Sequence, residues 1–285
     1  MRASTYLVVG HITQDVTDNG FVLGGTATYS AVTAANLGLS VRVLTTGSTS
    51  VCTAVTKVMP ATSVTVNCLP SPTTTTFCNT YSESGRQQQI LSVATPLSLT
   101  DLPASWLACD VAHLGPIAQE VAADFLGAFP KTVTLGVTPQ GWLRSWDGDG
   151  HIASSPWLPT PERLAAMTAL VLSVEDVGGT LSLIEYYARH CPITVITQGY
   201  RGCTLLMNGE SISLPTRPAV EIDPTGAGDV FAAAFFVRLH ETQDPVEAAR
   251  FANVVGSFSV EGVGTSAIPQ RSVVESWLAA NSAGF

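Results

Sequence analysis

A glycine-rich turn that leads directly into an apolar helix constrains this chain more than any other feature. The turn, residues 223–229, reads Asp-Pro-Thr-Gly-Ala-Gly-Asp, and the residues after it read Val-Phe-Ala-Ala-Ala-Phe-Phe. A helix that is apolar on all sides has to be buried, and the free N–H groups at its start form an anion site with Asp229 at the mouth. A phosphate held beside a carboxylate that takes a hydroxyl proton suits phosphoryl transfer. Asp is also favoured at ordinary helix starts, so a purely structural role stays open at this point.

The composition excludes several classes of protein. The chain has 285 residues, of which 46% are hydrophobic and 12% charged, so it can bury a large core and is not disordered. The net charge of −9 and the lack of a basic stripe argue against nucleic-acid binding. We find no apolar run of membrane-spanning length and no signal peptide, so we expect a cytoplasmic protein without a membrane partner.

The cysteines and histidines lack the spacing of a metal site. The six cysteines occur without a CxxC pair, and the five histidines occur without HxxxH spacing. We therefore predict buried thiols of a cytosolic protein. The cysteines are Cys52, Cys68, Cys78, Cys109, Cys191 and Cys203.

Strand and helix patterns alternate along the chain. Short apolar runs typical of buried parallel strands alternate with helical stretches, which predicts a doubly wound α/β fold with a mostly parallel sheet. The predicted strands are 6–10, 41–46, 111–114, 132–137, 169–173 and 193–197, and the predicted helices are 26–37, 120–129, 181–189, 229–240 and 246–260.

One segment departs from this alternation. Residues 63–93 contain three extended runs rich in Thr and Val, at 63–69, 74–81 and 86–93, with a turn at Ser84-Gly85. We interpret them as an antiparallel β-flap that could cover a site and exclude water. The expected organisation is a single domain, 1–285, with a lid formed by about 12–24 and 63–95. A decorative β-extension or a dimer face would have the same pattern.

Several short motifs follow one another along the chain in an order that can be compared with known families. They are Asp15 after the first strand, the pair Gly24-Gly25, the flap, the turn 197–202 (Thr-Gln-Gly-Tyr-Arg-Gly), the run 223–229, and Phe251-Ala252-Asn253 with Gly262 and Gly264. In this order they resemble the ribokinase-like, PfkB-type carbohydrate kinases over nearly the whole chain. The run 223–229 is the most specific match.

The resemblance implies a role for each matched residue. Asp229 would be the general base, and small residues beside it would let backbone N–H groups approach the γ-phosphate. Asp15 would accept hydrogen bonds from vicinal substrate hydroxyls, although a solvated loop Asp would have the same local sequence. The remaining expectations are an anion hole at Gly226, Ala227 and Gly228, substrate contacts at Gly24 and Gly25, nucleotide contacts at Thr197, Gly199, Gly202 and Thr225, and an adenine contact at Asn253.

Two departures from the family pattern bear on metal and substrate. Where the family often has Asn-x-x-Glu near magnesium, residues 173–176 here read Ser-Val-Glu-Asp. Asp176 or Glu175 keeps a carboxylate, so water-mediated Mg²⁺ binding remains an expectation. Tyr29 occupies the position where many sugar kinases of the family have Asn, which argues against unchanged ribose- or fructose-type recognition.

The family often has a monovalent-cation site next to the anion pocket. In this chain the resemblance implies that potassium would bind there and order the turn electrostatically. The implied ligands are Asp223, Thr225, Ser259, Gly262 and Gly264.

Two segments are similar to inositol-kinase-like members of the family. Residues 74–81 and 85–89 resemble their lids, and residues 138–144 (Thr-Pro-Gln-Gly-Trp-Leu-Arg) resemble the segment after their central strand. Arg86 could close over the substrate or be a solvated flap residue. Together with Gln140 and Tyr29 it completes the expected substrate-binding residues.

We therefore expect an ATP-dependent kinase of a small sugar or cyclic polyol, with myo-inositol as the leading guess and Mg²⁺ and K⁺ as cofactors. A nucleoside or vitamin-precursor kinase of the same fold is one alternative. A catalytically idle binding or regulatory protein is the other; the intact run 226–229 argues against it, and the altered run 173–176 argues slightly for it. The lid edge could also pair with a second copy to form a homodimer.

Overall fold

The computed structural model describes residues 3–17, 20–59, 62–82 and 85–281, with backbone alone at 58, 80–82 and 85–87. The strands are β1 (Thr5–Val9), β2 (Thr13–Thr17), β3 (Gly20–Gly24), β4 (Ser40–Gly47), β5 (Val64–Pro70), β6 (Thr76–Ser82), β7 (Gly85–Ser92), β8 (Val111–Leu114), β9 (Thr134–Val137), β10 (Arg144–Trp146), β11 (Ile152–Ser154), β12 (Ala169–Ser173), β13 (Thr194–Thr197), β14 (Cys203–Met207) and β15 (Glu210–Leu214). The helices are α1 (Thr26–Asn36), α2 (Thr49–Val58), α3 (Pro161–Ala165), α4 (Leu181–His190), α5 (Ala227–Thr242), α6 (Pro245–Ser259) and α7 (Arg271–Ala280).

The apolar runs form one large, mostly parallel sheet. Within the described residues its order is β15-β14-β13-β12-β9-β8-β1-β4-β5, and the two strands at one edge, β14 and β15, are antiparallel. The chain builds outward from β1 to β4 and β5, and then from β8 in the opposite direction. The crevice between β1 and β8 is therefore the point where the strand order reverses. The predicted doubly wound fold is confirmed.

Helix α5 lies at the centre of the core on one face of this sheet. Its residues 230–237 are all buried, because α1 and α6 pack against its sides and β8, β9 and β12 lie beneath it. Phe236 reaches the sheet at Gly136, where a Cβ atom would come within 2.4 Å of the phenyl ring. The apolar sequence after Asp229 is thus explained by burial on every side.

A second, small sheet has the order β3-β2-β6-β7 and forms the flap. The interpretation of residues 63–69 as a flap strand is wrong, because β5 pairs in parallel with β4 at the edge of the large sheet. An edge strand with one buried face has the same alternating pattern as a flap strand. Arg86 lies in β7 opposite Tyr81, and its side chain is outside the described residues.

The predicted helix 120–129 is wrong as well. A short 3-10 helix, Ala123–Gly127, is all that forms there. The Glu120 carboxylate instead accepts backbone N–H bonds from His11 at 2.8 Å, Ile117 at 2.9 Å and Ala118 at 2.7 Å. The Glu120 carbonyl also accepts from the Leu97 N–H at 2.8 Å. Glu120 therefore joins the segments before and after the flap instead of beginning a helix.

The prediction that all six cysteines are thiols is wrong for two of them. Cys52 of α2 and Cys68 of β5 form a disulfide, with Cα atoms 5.6 Å apart. Their separation of 16 residues does not reveal that the helix packs over the adjacent strand. The others are free thiols, of which Cys109, Cys191 and Cys203 are buried as predicted and Cys78 is half-buried.

None of the helices in the described ranges has both the length and the apolar character that crossing a bilayer requires.

Candidate active site

A cavity of about 1010 Å³ lies at the carboxyl ends of the parallel strands, beneath the inner face of the small sheet. Its walls come from the ends of β9, β12 and β13, from the starts of α1 and α5, and from α6. It lies next to the crevice where the strand order reverses, the usual position of a ligand in a doubly wound sheet. Its volume suits a small-molecule ligand.

Asp229 is half-buried on the cavity wall, in the first turn of α5. Burial raises the pKa of its carboxyl from 3.8 to about 6, and the nearby Asp176 and Asp15 carboxylates raise it further. Thr26 and Arg144 oppose these effects and lower the pKa. A carboxyl with this pKa is ionised at neutral pH and still has proton affinity, as a general base requires.

The signature turn packs against an aromatic ring. Gly226 precedes α5 with a φ of 77°, a left-handed conformation that favours glycine. A Cβ atom at this position would lie 2.4 Å from the Tyr29 ring. Tyr29, expected to bind substrate, is 3% exposed and supports the turn from beneath. It also contributes to the cavity wall.

The start of α5 presents backbone N–H groups to the cavity. Of the three amides expected in the anion hole, that of Ala227 donates to the Pro224 carbonyl at 3.2 Å and closes the turn. The Gly228 and Asp229 amides lie in the first helical turn, where no intrahelical carbonyl is available to them. Gly226, Ala227 and Gly228 all line the cavity, so this end of the helix can hold an anion.

Asp223 connects the signature turn to the carboxy-terminal loop. Its carboxylate accepts from the Thr225 N–H at 3.0 Å and from the Gly264 N–H at 2.9 Å. Ser259, buried at the end of α6, donates its hydroxyl to the Gly256 carbonyl at 2.9 Å. Three of the residues expected around potassium, Asp223, Thr225 and Gly264, are thus brought together.

Asp15 lies on the cavity side of β2, close to the glycine pair. A Cβ atom on Gly24 would lie 2.4 Å from Asp15 Oδ2, and one on Gly25 would lie 2.5 Å from the His11 carbonyl. The Thr13 hydroxyl on the same strand is buried and has no hydrogen-bond partner among the described residues. The Thr26 hydroxyl is also buried, and it faces the Asp229 carboxyl, whose pKa it lowers. A buried hydroxyl without a partner is costly, and a polyhydroxylated ligand could satisfy that of Thr13.

Gln140 and Asp176 are joined across the cavity wall. The Gln140 amide donates to Asp176 Oδ1 at 3.0 Å. Asp176 Oδ2 accepts from both the backbone and the hydroxyl of Ser173, at 2.7 and 2.9 Å. The Ser that replaces the family's Asn therefore fixes the Asp carboxylate, and Glu175 next to it is exposed on the same wall.

The opposite end of the cavity contains the residues expected to bind nucleotide. Thr197, Gly199 and Gly202 line it at the turn between β13 and β14. Gly202 has a φ of 89°, and a Cβ atom there would clash with the Leu214 carbonyl at 2.1 Å. Asn253 is buried, and its side-chain amide donates to the carbonyls of residues 214 and 215, each at 3.1 Å. Those bonds fix the strand end.

Sequence reasoning missed several residues of the cavity. Arg144 reaches it from β10, with its guanidinium 5.8 Å from the Phe77 ring centre and a hydrogen bond of 3.2 Å to the Ile117 carbonyl. Phe77 and Gln88 come from the inner face of the flap, and Thr138 follows β9. Arg144 belongs to the segment 138–144, which resembles inositol-kinase-like members of the family. Its positive charge in an acidic chain was the signal that could have identified it as a residue of the cavity.

The charges that line the cavity suit a divalent cation with a polyphosphate. Among the described lining residues, five are carboxylates and three are arginines. Polyphosphate would meet net negative charge there unless a cation accompanies it. Exposed Glu175 and fixed Asp176 offer the oxygen ligands that Mg²⁺ prefers, directly or through water.

Comparison with known proteins identifies relatives of this chain. Residues 176–271 match the sequence model of the pfkB family carbohydrate kinase. Inositol 3-kinase from Zea mays is 31% identical over 205 residues, which cover 69% of this chain and 53% of that protein. The chain thus spans about half the length of that curated relative. Cytidine kinase from Thermococcus kodakarensis is 26% identical over 246 residues, covering 80% of this chain and 86% of that protein.

Solved structures share the fold. A pyrophosphate-dependent kinase in the ribokinase family, complexed with a pyrophosphate analogue and myo-inositol, superposes with a TM-score of 0.78 over 95% of this chain and 99% of that one, at 23% identity. At this identity the likeness establishes the ribokinase fold.

Removal of the Asp229 charge should stabilise the protein at alkaline pH. Because the pKa is 3.8 ordinarily and about 6 when folded, the ionised carboxylate destabilises the folded state above pH 6, and this effect disappears as pH falls below the unfolded value. We expect Asp229→Asn to have a higher free energy of unfolding than the unmodified chain at pH 8 and a smaller excess at pH 5, measured by urea unfolding. Glu210→Gln, at an exposed position at the start of β15, controls for net charge. If the free energy of unfolding of Asp229→Asn exceeded that of the unmodified chain by the same amount at pH 8 and pH 5, the raised pKa of Asp229 would be contradicted.

Proposed function

The chain belongs to the ribokinase-like (pfkB) family of carbohydrate kinases by its residues 176–271 and its fold, and on that premise we propose that it transfers the γ-phosphoryl group of ATP to a hydroxyl of a small sugar or cyclic polyol. The position of Asp229 carries this proposal. Asp229 lines the same cavity as Asp15 and the start of α5, and the Asp15 carboxylate is near enough to raise its pKa. A base that adjoins both an acceptor site and an anion site is what hydroxyl phosphorylation needs.

Asp229 would take the proton of the acceptor hydroxyl as the phosphoryl group moves in line. With a pKa of about 6 it is ionised at neutral pH. The Gly226–Gly228 turn and the first-turn amides would stabilise the negative charge that develops on the phosphoryl oxygens. The Arg144 guanidinium, which already interacts with Asp229, would contribute to the same stabilisation from the flap side.

The acceptor would lie under the flap. Asp15 would accept hydrogen bonds from its hydroxyls, and the unpartnered hydroxyl of Thr13 would gain a partner. We propose that the flap strands β2, β3, β6 and β7 act as the lid, and that Arg86 contributes to closure. The leading acceptor is a cyclic polyol such as myo-inositol, supported by the similarity to inositol 3-kinase.

Metal ions would bind at the end of the cavity that holds the donor phosphates. Asp176 and Glu175 would hold Mg²⁺ through water, and the ion would neutralise the charge of the donor phosphates. Asp223, Thr225 and Gly264 would supply the potassium site, with Ser259 and Gly262 as the other expected ligands, because Asp223 accepts a hydrogen bond from Thr225 of its own turn and another from Gly264 of the carboxy-terminal loop. We place the enzyme in the cytoplasm, where ATP is available; reducing conditions there would act on the Cys52–Cys68 pair.

Replacement of Asp229 by Asn should lower turnover by orders of magnitude while leaving binding largely intact. Loss of a general base lowers rates by roughly 10²–10⁴-fold, whereas Asn keeps the side-chain shape. The measurement is ADP formation from ATP and Mg²⁺ over a panel of myo-inositol, pentoses, hexoses and nucleosides, with pyrophosphate as a second donor. Near-normal turnover by Asp229→Asn would refute the role of the base.

The acceptor panel also separates the alternatives. Selective turnover of a nucleoside or a vitamin precursor would identify a kinase of different substrate class. Ligand binding by calorimetry without any acceptor-dependent ADP would favour a catalytically idle binding protein.

Exchange of potassium for a bulky organic cation should lower activity several-fold. Tetramethylammonium cannot fit between Asp223 and the carboxy-terminal loop, so the turn that begins α5 would be less ordered. Steady-state rates in matched chloride salts measure this. Equal rates in both salts would argue against the cation site.

We also propose a homodimer through the outer face of the flap. Val16 and its cross-strand partner Phe21 are 40% and 51% exposed there, and Leu91 of β7 is 53% exposed. Exposed apolar side chains grouped on one face of a sheet favour association. Light scattering should give a mass of about twice the monomer mass of 29.8 kDa. Phe21→Glu should reduce the measured mass to that of the monomer. Val220→Glu, which also places a charge at an exposed apolar position, should leave the measured mass unchanged. A monomeric unmodified chain would refute the dimer.

A further inference from the structure

The imidazole of His11 lies where the flap joins the body of the protein. The chain passes between flap and body at four connections: residues 10–12 before β2, Gly25 after β3, residues 71–75 before β6, and residues 93–95 after β7. His11 belongs to the first of these connections and is fully buried. A residue at this place can determine how the flap lies over the cavity.

The atoms of His11 contact each of the other three connections. A Cβ atom on Gly25 would lie 2.5 Å from the His11 carbonyl. In the ring, Nδ1 lies 2.7 Å from the Thr75 hydroxyl oxygen. The other nitrogen, Nε2, lies 3.0 Å from the Thr95 carbonyl oxygen and 2.7 Å from the hydroxyl oxygen of Thr46 in β4. One side chain thus joins the segments before β6 and after β7 to the large sheet.

The contacts of Nε2 determine which nitrogen of His11 carries a proton. The Thr46 hydroxyl oxygen and the Thr95 carbonyl oxygen are 2.6 Å apart, and only the hydroxyl has a proton to place between them. The single proton of Thr46 is therefore used, and neither oxygen can donate to Nε2. Because Nε2 lies within hydrogen-bond distance of both oxygens, it must itself be the donor.

The second ring nitrogen of His11 is held by Thr75. Thr75 is fully buried, and its hydroxyl oxygen already accepts from the Ala94 N–H at 2.9 Å. In the neutral imidazole with Nε2–H, the bare Nδ1 accepts the Thr75 hydroxyl proton. The Thr75 carbonyl in turn accepts from the Gln14 N–H of β2 at 2.9 Å. Through these bonds the position of β2 depends on the connections before β6 and after β7.

We propose that His11, as the Nε2–H tautomer, is a positioning residue that holds the flap in place over the acceptor. Strand β2, which follows it, carries Thr13 and Asp15 on the cavity wall. His11 is not among the described residues that line the cavity, so it would act through β2. Without its contacts β2 would less often be in the binding position, and the apparent affinity for the acceptor would fall by that fraction. The inference rests on the proposed kinase function and adds a residue that controls acceptor affinity from outside the cavity.

The tautomer of His11 can be measured without any activity. In ligand-free protein labelled with ¹⁵N-histidine, at alkaline pH, we expect a protonated Nε2 and a bare Nδ1 for the residue whose signals disappear in His11→Gln. If that variant does not fold, Thr75→Val identifies the residue instead, because it removes the hydroxyl bonded to Nδ1 and shifts the Nδ1 resonance. A protonated Nδ1 would overturn the proposal, whatever reaction the protein catalyses.

The positioning role is measured with side-chain variants. Thr75→Val should raise the acceptor KM about fivefold, as expected for the loss of one hydrogen bond, with little change in kcat or in the KM of ATP, and Thr75→Ser should restore it. His11→Gln, which keeps a donor for the Thr95 carbonyl and loses the acceptor for Thr75, should give a similar rise. Thr134→Val is the matched control, since Thr134 is buried, has its hydroxyl oxygen 3.4 Å from His240 Nδ1, and lies at the end of β9 away from the cavity.

The outcomes separate the role of His11 from the kinase proposal. An unchanged acceptor KM in Thr75→Val would refute the positioning role, and so would an equal rise in the KM of ATP, which indicates a general loss of structure. Absence of turnover in the unmodified chain would refute the kinase proposal instead. In that case faster hydrogen exchange of the Gln14 amide in Thr75→Val than in Thr134→Val would still support the hold of His11 on the flap, and equal exchange rates would refute it.

Discussion

Burial of α5 on all sides is the constraint on which the rest of the structure depends. With the sheet beneath it and α1 and α6 against its flanks, the helix has no freedom to shift, so its first turn is fixed relative to the strand ends. The Tyr29 ring under Gly226 fixes the turn that precedes it. Asp229 and its neighbouring amides are thereby held by packing that is independent of any ligand, which is the condition for a preorganised anion site.

The site is rigid, but the charges within it lower the stability of the folded protein. Asp229 is half-buried near two other carboxylates, so its ionised form is held in an environment that opposes it. Thr13 adds a buried hydroxyl without a partner among the described residues. Both groups lower the stability of the free protein, and both would gain from a bound cation or polyol. Strain of this kind is typical of functional sites and is unnecessary in a purely structural cavity.

The sequence predicted those parts of the site that are formed by residues close together along the chain. The base and its turn lie within seven consecutive residues, and the strand and helix alternation gave the doubly wound fold. The part that Arg144, Phe77 and Thr138 play could not be found this way, because the segment 138–144 and the flap strand β6 converge only when the sheet and the flap assemble. The error at 120–129 has the same origin, since a helix-favouring Glu is used to accept N–H groups from another segment. The edge strand at 64–70 and the disulfide also depend on which neighbour each segment meets.

The Glu120 contacts have a mechanical consequence for the flap. The chain first enters the flap just after His11 and finally leaves it just before Leu97, and both residues are bonded to Glu120, one to its carboxylate and the other to its carbonyl. Between these points the chain leaves the flap after Gly24 and returns to it at Thr76. Two of the four connections between the flap and the body are therefore held by one residue. These two connections, far apart in sequence, cannot separate from each other while the hydrogen bonds of Glu120 persist.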